Sequence, residues 1–128
     1  MKILLDTCTF LWIIRDSSKL SQLARTLYAD PDNETYLSPV SAWEISVKHA
    51  IGKLPLGAPP NIIIPETRHR HDIATLPLDE DSATAVSRLP PLHADPFDRL
   101  LICQAITHGM TILTPDARIN QYPVNVKW

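Results

Sequence analysis

The chain has 128 residues, 45% hydrophobic and 20% charged, with a formal net charge of −2. That length suits one domain, residues 1–128, able to bury roughly two-thirds of its unfolded surface without a disulfide or structural metal, and the near-neutral charge excludes nucleic-acid binding through bulk positive charge, leaving only a local patch. No apolar run approaches the ~18 residues of a membrane span and none has the form of a targeting segment, so the expectation is a cytoplasmic protein without a membrane partner.

Residues 2–6 open the chain as a short apolar run closed by Asp6, the pattern of a buried parallel strand whose carboxyl end meets a crevice. Residues 9–15 read as a short helix and 18–28 as a second, with Leu20, Leu23, Ala24 and Leu27 on one face. Residues 30–34 carry turn chemistry and 35–37 a brief strand. Ser38 followed by Pro39 is a cap and first-turn pair, starting a helix that runs to about Ile51 and stops at Gly52. Its apolar stripe is Val40, Trp43, Val47, Ala50 and Ile51, with Glu44 on the edge. A carboxylate there is either paired with Lys48 one turn on or functional, because an unpaired buried charge is costly; the helix alone leaves both readings open.

Residues 53–60 hold three prolines and a glycine and form a loop. A helix over 62–71 ends in Arg68, His69, Arg70 and His71, which complement its dipole. Residues 73–76 suit a strand, and 79–88 a helix with Ala83, Val86 and Leu89 inward. Pro90 and Pro91 then break the chain, and His93 reads as a capping or packing residue. Asp95-Pro96 repeats the cap device ahead of a helix with Phe97, Leu100, Leu101 and Ala105 inward and Gly109 as its stop. Asp95 and Asp98 share one side of its first turn, near the positive end of the dipole. Residues 110–114 form another apolar strand followed by a carboxylate, Asp116, and 122–128 an alternating edge strand. Strands separated by helices throughout predict a single α/β domain with a parallel central sheet flanked by helices. Only three glycines are present and none forms a phosphate-binding loop, which removes P-loop and dinucleotide folds. Cys8 and Cys103 lack metal-type spacing and read as buried reduced thiols.

Two aspartates after strands, a glutamate on a helix face and aspartates at a helix start would converge at the carboxyl ends of the strands. Crowded carboxylates repel unless a cation is present. A set of oxygen donors without thiolates suits Mg²⁺ or Mn²⁺ rather than zinc, and such ions serve phosphodiester hydrolysis.

The segments around Ile3-Leu4-Leu5-Asp6-Thr7, Ser41-Ala42-Trp43-Glu44-Ile45 with Gly52-Lys53-Leu54, Asp95-Pro96-Phe97-Asp98 through Ala105, and Ile112-Leu113-Thr114-Pro115-Asp116 resemble, in order and spacing, the PIN-domain ribonucleases of the VapC toxin type. The resemblance spans nearly the whole chain. It implies a metal-dependent endoribonuclease with RNA as substrate, acting as a homodimer and blocked by a cognate antitoxin in a heterotetramer or larger assembly. By position it implies Asp6, Glu44, Asp98 and Asp116 as the catalytic and metal-binding quartet, with Asp95 a further candidate ligand and Thr114 near the last carboxylate. Exposed apolar positions on the first two helices are the candidate dimer surface. Two alternatives stand beside this reading: a structure-specific DNA nuclease of related fold, which would need arches this chain is too short to carry, and a non-catalytic RNA-binding module.

Overall fold

The computed structural model describes residues 1–128. Five short strands, β1 (Lys2–Leu5), β2 (Glu34–Leu37), β3 (Ala74–Thr75), β4 (Thr111–Leu113) and β5 (Asn125–Lys127), pair in parallel in the order β3-β2-β1-β4-β5. Six helices flank them: α1 (Thr7–Arg15), α2 (Gln22–Ala29), α3 (Pro39–Ala50), α4 (Pro60–Arg70), α5 (Glu80–Ala85) and α6 (Pro96–His108). This is the α/β architecture that the alternation of strands and helices predicts.

β1 is central because its three apolar residues are buried on both faces, the condition under which a parallel strand reads as a continuous apolar run. Side chains alternate across the strand, and each face has its own core. Ile3 and Leu5 pack with Phe10, Ile13, Ile45 and Leu113; Leu4 packs with Leu101, Ile102, Ala105 and Ile112. From β1 the chain builds β2 and β3 on one side, then crosses to place β4 and β5 on the other. The crevice between the carboxyl ends of β1 and β4 is therefore the switch point at which open parallel sheets bind ligands.

Several elements depart from the sequence reading, each for a local reason. The second helix starts after Ser21, whose hydroxyl accepts from the Ala24 N–H at 3.0 Å, because residues 17–20 form a turn closed by the Leu20 N–H on the Ser17 carbonyl. Leu20 and Ala24 of its stripe are buried, but Leu23 is exposed, and it is the one large apolar side chain of α1 and α2 that is so. The helix expected over 79–88 stops at Ala85 and tightens into a 3₁₀ turn, Val86–Arg88, ahead of the prolines. Ser82 rather than Ala83 is its buried residue, made tolerable because its hydroxyl bonds Asp79 at 2.6 Å. The closing strand is limited to Asn125–Lys127, with Trp128 beyond it packed in a tilted arrangement on Trp12, ring centroids 5.6 Å apart.

The largest departure is α3. Its buried face is Val40, Ser41, Glu44 and Ile45, whereas Trp43 and Ile51 of the expected inward stripe are 62% and 60% exposed and Val47 is exposed as well. Glu44 thus lies in the middle of the buried face. The helix turns its polar residues toward the crevice and leaves most of its apolar stripe outside, so α3 exposes Trp43, Val47 and Ile51 where the first two helices expose only Leu23 among their large apolar side chains.

Candidate metal centre

Asp6 follows β1 directly and caps α1: its Oδ1 accepts from the Thr9 N–H at 2.7 Å. The Thr9 hydroxyl donates to the Leu113 carbonyl at 2.8 Å, tying the start of α1 to the end of β4 and closing the crevice between the two strands. From the β4 side the Thr114 hydroxyl donates to the other oxygen of Asp6 and accepts from the Asp116 N–H at 3.0 Å. One threonine therefore links the Asp6 carboxylate to the backbone of Asp116. Asp116 is gripped by the Arg118 guanidinium, Nε to Oδ1 at 3.2 Å and Nη2 to Oδ2 at 3.0 Å, which holds its carboxyl below the usual range.

Glu44 is 5% exposed. The Thr7 hydroxyl donates to its Oε1 at 2.7 Å and also contacts the Ser41 hydroxyl at 3.0 Å, while Lys48 reaches Oε2 at 2.5 Å. The lysine one turn on is its partner, and the carboxylate faces the crevice. Asp95 is the cap of α6, accepting from the Phe97 N–H at 2.9 Å and the Asp98 N–H at 3.4 Å. Asp98 meets a residue that sequence reasoning set aside. The His93 Nε2 lies 2.8 Å from its Oδ2, and because an ionised carboxylate only accepts, Nε2 carries the proton. No periodicity connects a residue in a loop after two prolines to the third position of the following helix. The only local signal is a histidine just ahead of a strongly capped helix.

Asp6, Glu44, Asp95, Asp98 and Asp116 all line one cleft of about 450 Å³, shared with Lys48, Lys53 and Arg118. Five carboxylates thus face three cations, of which Lys53 is in no ion pair with them. The electrostatic consequence is visible in the acids. Burial, followed by the charges of Asp95, Asp6 and Glu44, pushes the Asp98 carboxyl up to about 6 against the pull of the His93 bond. Burial also raises Asp6, outweighing its hydrogen bonds from Thr114 and Thr9. A divalent cation would relieve that crowding, and the donors fit a hard one: carboxylate oxygens with a single imidazole behind them. Nε2 of His93 and one oxygen each of Asp98 and Asp116 lie within 4.8 Å of one another. Cys8, also on the cleft wall, is pushed up to about 12 by burial and by the charge of Asp6.

A PIN-domain family model matches residues 3–125. The chain is similar in structure to VapBC2 of Rickettsia felis bound to a fragment of its promoter DNA, with 14% identity, 99% of this chain and 98% of that one covered and a TM-score of 0.75. It is similar also to DNA-bound VapBC of Salmonella typhimurium, with 15% identity, 99% and 97% coverage and a TM-score of 0.69. FitAcB of Neisseria gonorrhoeae matches at 21% identity, 97% and 95% coverage and a TM-score of 0.60. Among curated proteins none matches the chain in sequence. At such identities the structural likeness speaks for the fold.

Proposed function

The chain belongs to the PIN-domain family, and on that premise we propose that it is a nuclease toxin of a toxin–antitoxin pair, a Mg²⁺- or Mn²⁺-dependent endoribonuclease that hydrolyses RNA phosphodiester bonds. One observation carries the reading: Asp6, Glu44, Asp98 and Asp116, drawn from two strand ends and two helices, meet in one cleft at the switch point of the sheet. Asp6, Glu44, Asp98 and Asp116 are the catalytic and metal-binding residues of this proposal. A structural acid would need one partner and no convergence. Here each carboxylate has its own partner, Thr114 for Asp6, Thr7 and Lys48 for Glu44, His93 for Asp98 and Arg118 for Asp116, so the four are fixed in place before anything binds. A divalent ion held by these carboxylates would supply charge for the scissile phosphate and would lower the pKa of a bound water.

The protein's own part is to position and to exclude alternatives. Asp95 fixes the first turn of α6 and thereby the direction of Asp98. Lys53, unpaired at the rim, is placed to hold a substrate phosphate next to the acids. The excess of carboxylates also suits inhibition by a small antitoxin protein that inserts an arginine, whose fork both replaces cation charge and bonds carboxylates in pairs. Two of the similar structures are VapBC assemblies with DNA, which supports an antitoxin partner; a homodimer within that assembly follows from the family resemblance. No helix is long and apolar enough to cross a membrane, in keeping with action in the cytoplasm.

Clean protein incubated with RNA and DNA pools is expected to cut RNA with Mg²⁺ or Mn²⁺ and to stop when EDTA is in excess. Cutting that persists in EDTA, or turnover on DNA alone, would remove the proposal; no turnover on either would favour a binding module.

A further inference from the structure

We propose that His93 is a positioning residue of the metal site, its Nε2–H fixing Oδ2 of Asp98 so that Oδ1 is presented to the cation. The inference rests on the metal-site reading above. The imidazole side chain is 6% exposed, and it does not line the cleft that Asp98 lines, so it stands behind the carboxylate and not beside the ion. Oδ2 is engaged at 2.8 Å, and Oδ1 makes no bond with the protein.

What makes the contact a built one is how the histidine is delivered. Its backbone N–H donates to the buried Tyr122 hydroxyl at 2.8 Å, as does that of Leu92 at 3.1 Å. Arg99, one residue after Asp98 on α6, donates to the same hydroxyl at 3.2 Å. It also donates to the carbonyls of Pro90, Leu89 and Val86 at 2.9, 3.3 and 3.3 Å. A single guanidinium therefore ties the loop carrying His93 to the helix carrying Asp98. The loop's position is set by groups that touch no ligand, which is the arrangement expected of a residue that orients a metal-binding carboxylate. The alternative is direct ligation, since the donor atoms of His93, Asp98 and Asp116 lie within 4.8 Å; the hydrogen bond and the screened position of the ring favour orientation.

The test uses His93→Asn and His93→Gln, two neutral amides that differ in reach: the Gln amide can occupy the place of Nε2, and the Asn amide falls short of it. Mn²⁺ binding is measured by calorimetry, the nitrogen environment of bound Mn²⁺ by electron spin-echo modulation, and the metal-free melting midpoint alongside. The expected result is a loss of Mn²⁺ affinity of about 10–100-fold in His93→Asn, the usual size of such an effect, with a lower kcat at little-changed KM for RNA. His93→Gln should recover most of that loss, and wild-type Mn²⁺ should show no imidazole nitrogen coupling. Equal Mn²⁺ affinity in His93→Asn and wild type would overturn the proposal. So would nitrogen coupling in the wild type that both variants lose, which would make His93 a ligand. Should His93→Asn fail to fold, the wild-type echo modulation and the affinity of His93→Gln decide the matter alone. Wild-type protein that binds no Mn²⁺ would instead remove the metal-site reading, and this inference with it.

Discussion

α3 and α6 begin in the same way and end up oppositely oriented. Each opens with a polar cap followed by proline, Ser38-Pro39 and Asp95-Pro96, and each carries a carboxylate within the helix to the cleft, Glu44 on α3 and Asp98 on α6. On α6 Leu101 and Ala105 of the expected apolar stripe are fully buried, and Phe97 and Leu100 are partly buried against the same core. On α3 all of the stripe but Val40 stays out. The difference lies in where the acid sits. Asp98 occupies the first turn, ahead of the apolar residues, so reaching the cleft and burying the stripe are satisfied together. Glu44 lies mid-helix, and facing it to the cleft rotates Ser41 and Glu44 in and Trp43, Val47 and Ile51 out. A polar side chain held in a cleft from the body of a helix can override the amphipathic pattern; one at its end need not.

That contrast can be broken by stability measurements. Leu101→Ala on α6 empties a fully buried site and is expected to cost about 2–5 kcal/mol in denaturant unfolding; a cost below about 1 kcal/mol would mean the α6 face is not the packed one. Asp98 gives the next effect, and its sign is set by burial. Because the folded carboxyl is pushed up to about 6 from 3.8, the metal-free fold holds this proton more tightly than the unfolded chain does. That stability is fully present below about pH 4 and is lost as pH rises through about 6. Asp98→Asn, with no charge to bury, should therefore stabilise metal-free protein by about 1–3 kcal/mol at pH 8, with the gain absent at pH 4; an equal effect at both pH values would contradict the assignment of burial as the cause. Asp95→Ala removes a cap and should cost roughly 0.5–2 kcal/mol. Smallest of all, Ile51→Ser on the exposed stripe of α3 should change stability by no more than about 0.5 kcal/mol, and a loss of the size expected for Leu101→Ala would show that this stripe is covered.

What could be read before folding was whatever is local. The apolar runs of β1 and β4, the caps at Ser38 and Asp95, the stop at Gly109 and the acids that end the strands are set by a few neighbouring residues, and the parallel sheet follows from their alternation. The acids were legible as candidates for the same reason, each standing after a strand, on a helix face or at a helix start, and the family resemblance singled out four of them. The partners that hold them were less so. Thr7 meets Glu44 across 37 residues, Thr114 meets Asp6 across 108, and His93 reaches Asp98 only because Arg99 and Tyr122 fold its loop back. Nothing in the periodicity of any one segment encodes those contacts. The orientation of α3 was illegible on different grounds: hydrophobicity says which face prefers burial, not which face the site requires.

On the proposed reading the first turn of α6 separates a cap, Asp95, from a ligand, Asp98, although both line the cleft. The direct measurement is Mn²⁺-dependent cleavage of RNA by Asp98→Asn and Asp95→Asn, with melting midpoints recorded for both. Asp98→Asn is expected to keep its fold and lose about 100-fold or more in turnover, as removal of a group acting on the transition state does, whereas Asp95→Asn should cut nearly as wild type. Near wild-type cleavage by Asp98→Asn, together with loss of cleavage by a folded Asp95→Asn, would reverse the assignment and make Asp95 the ligand.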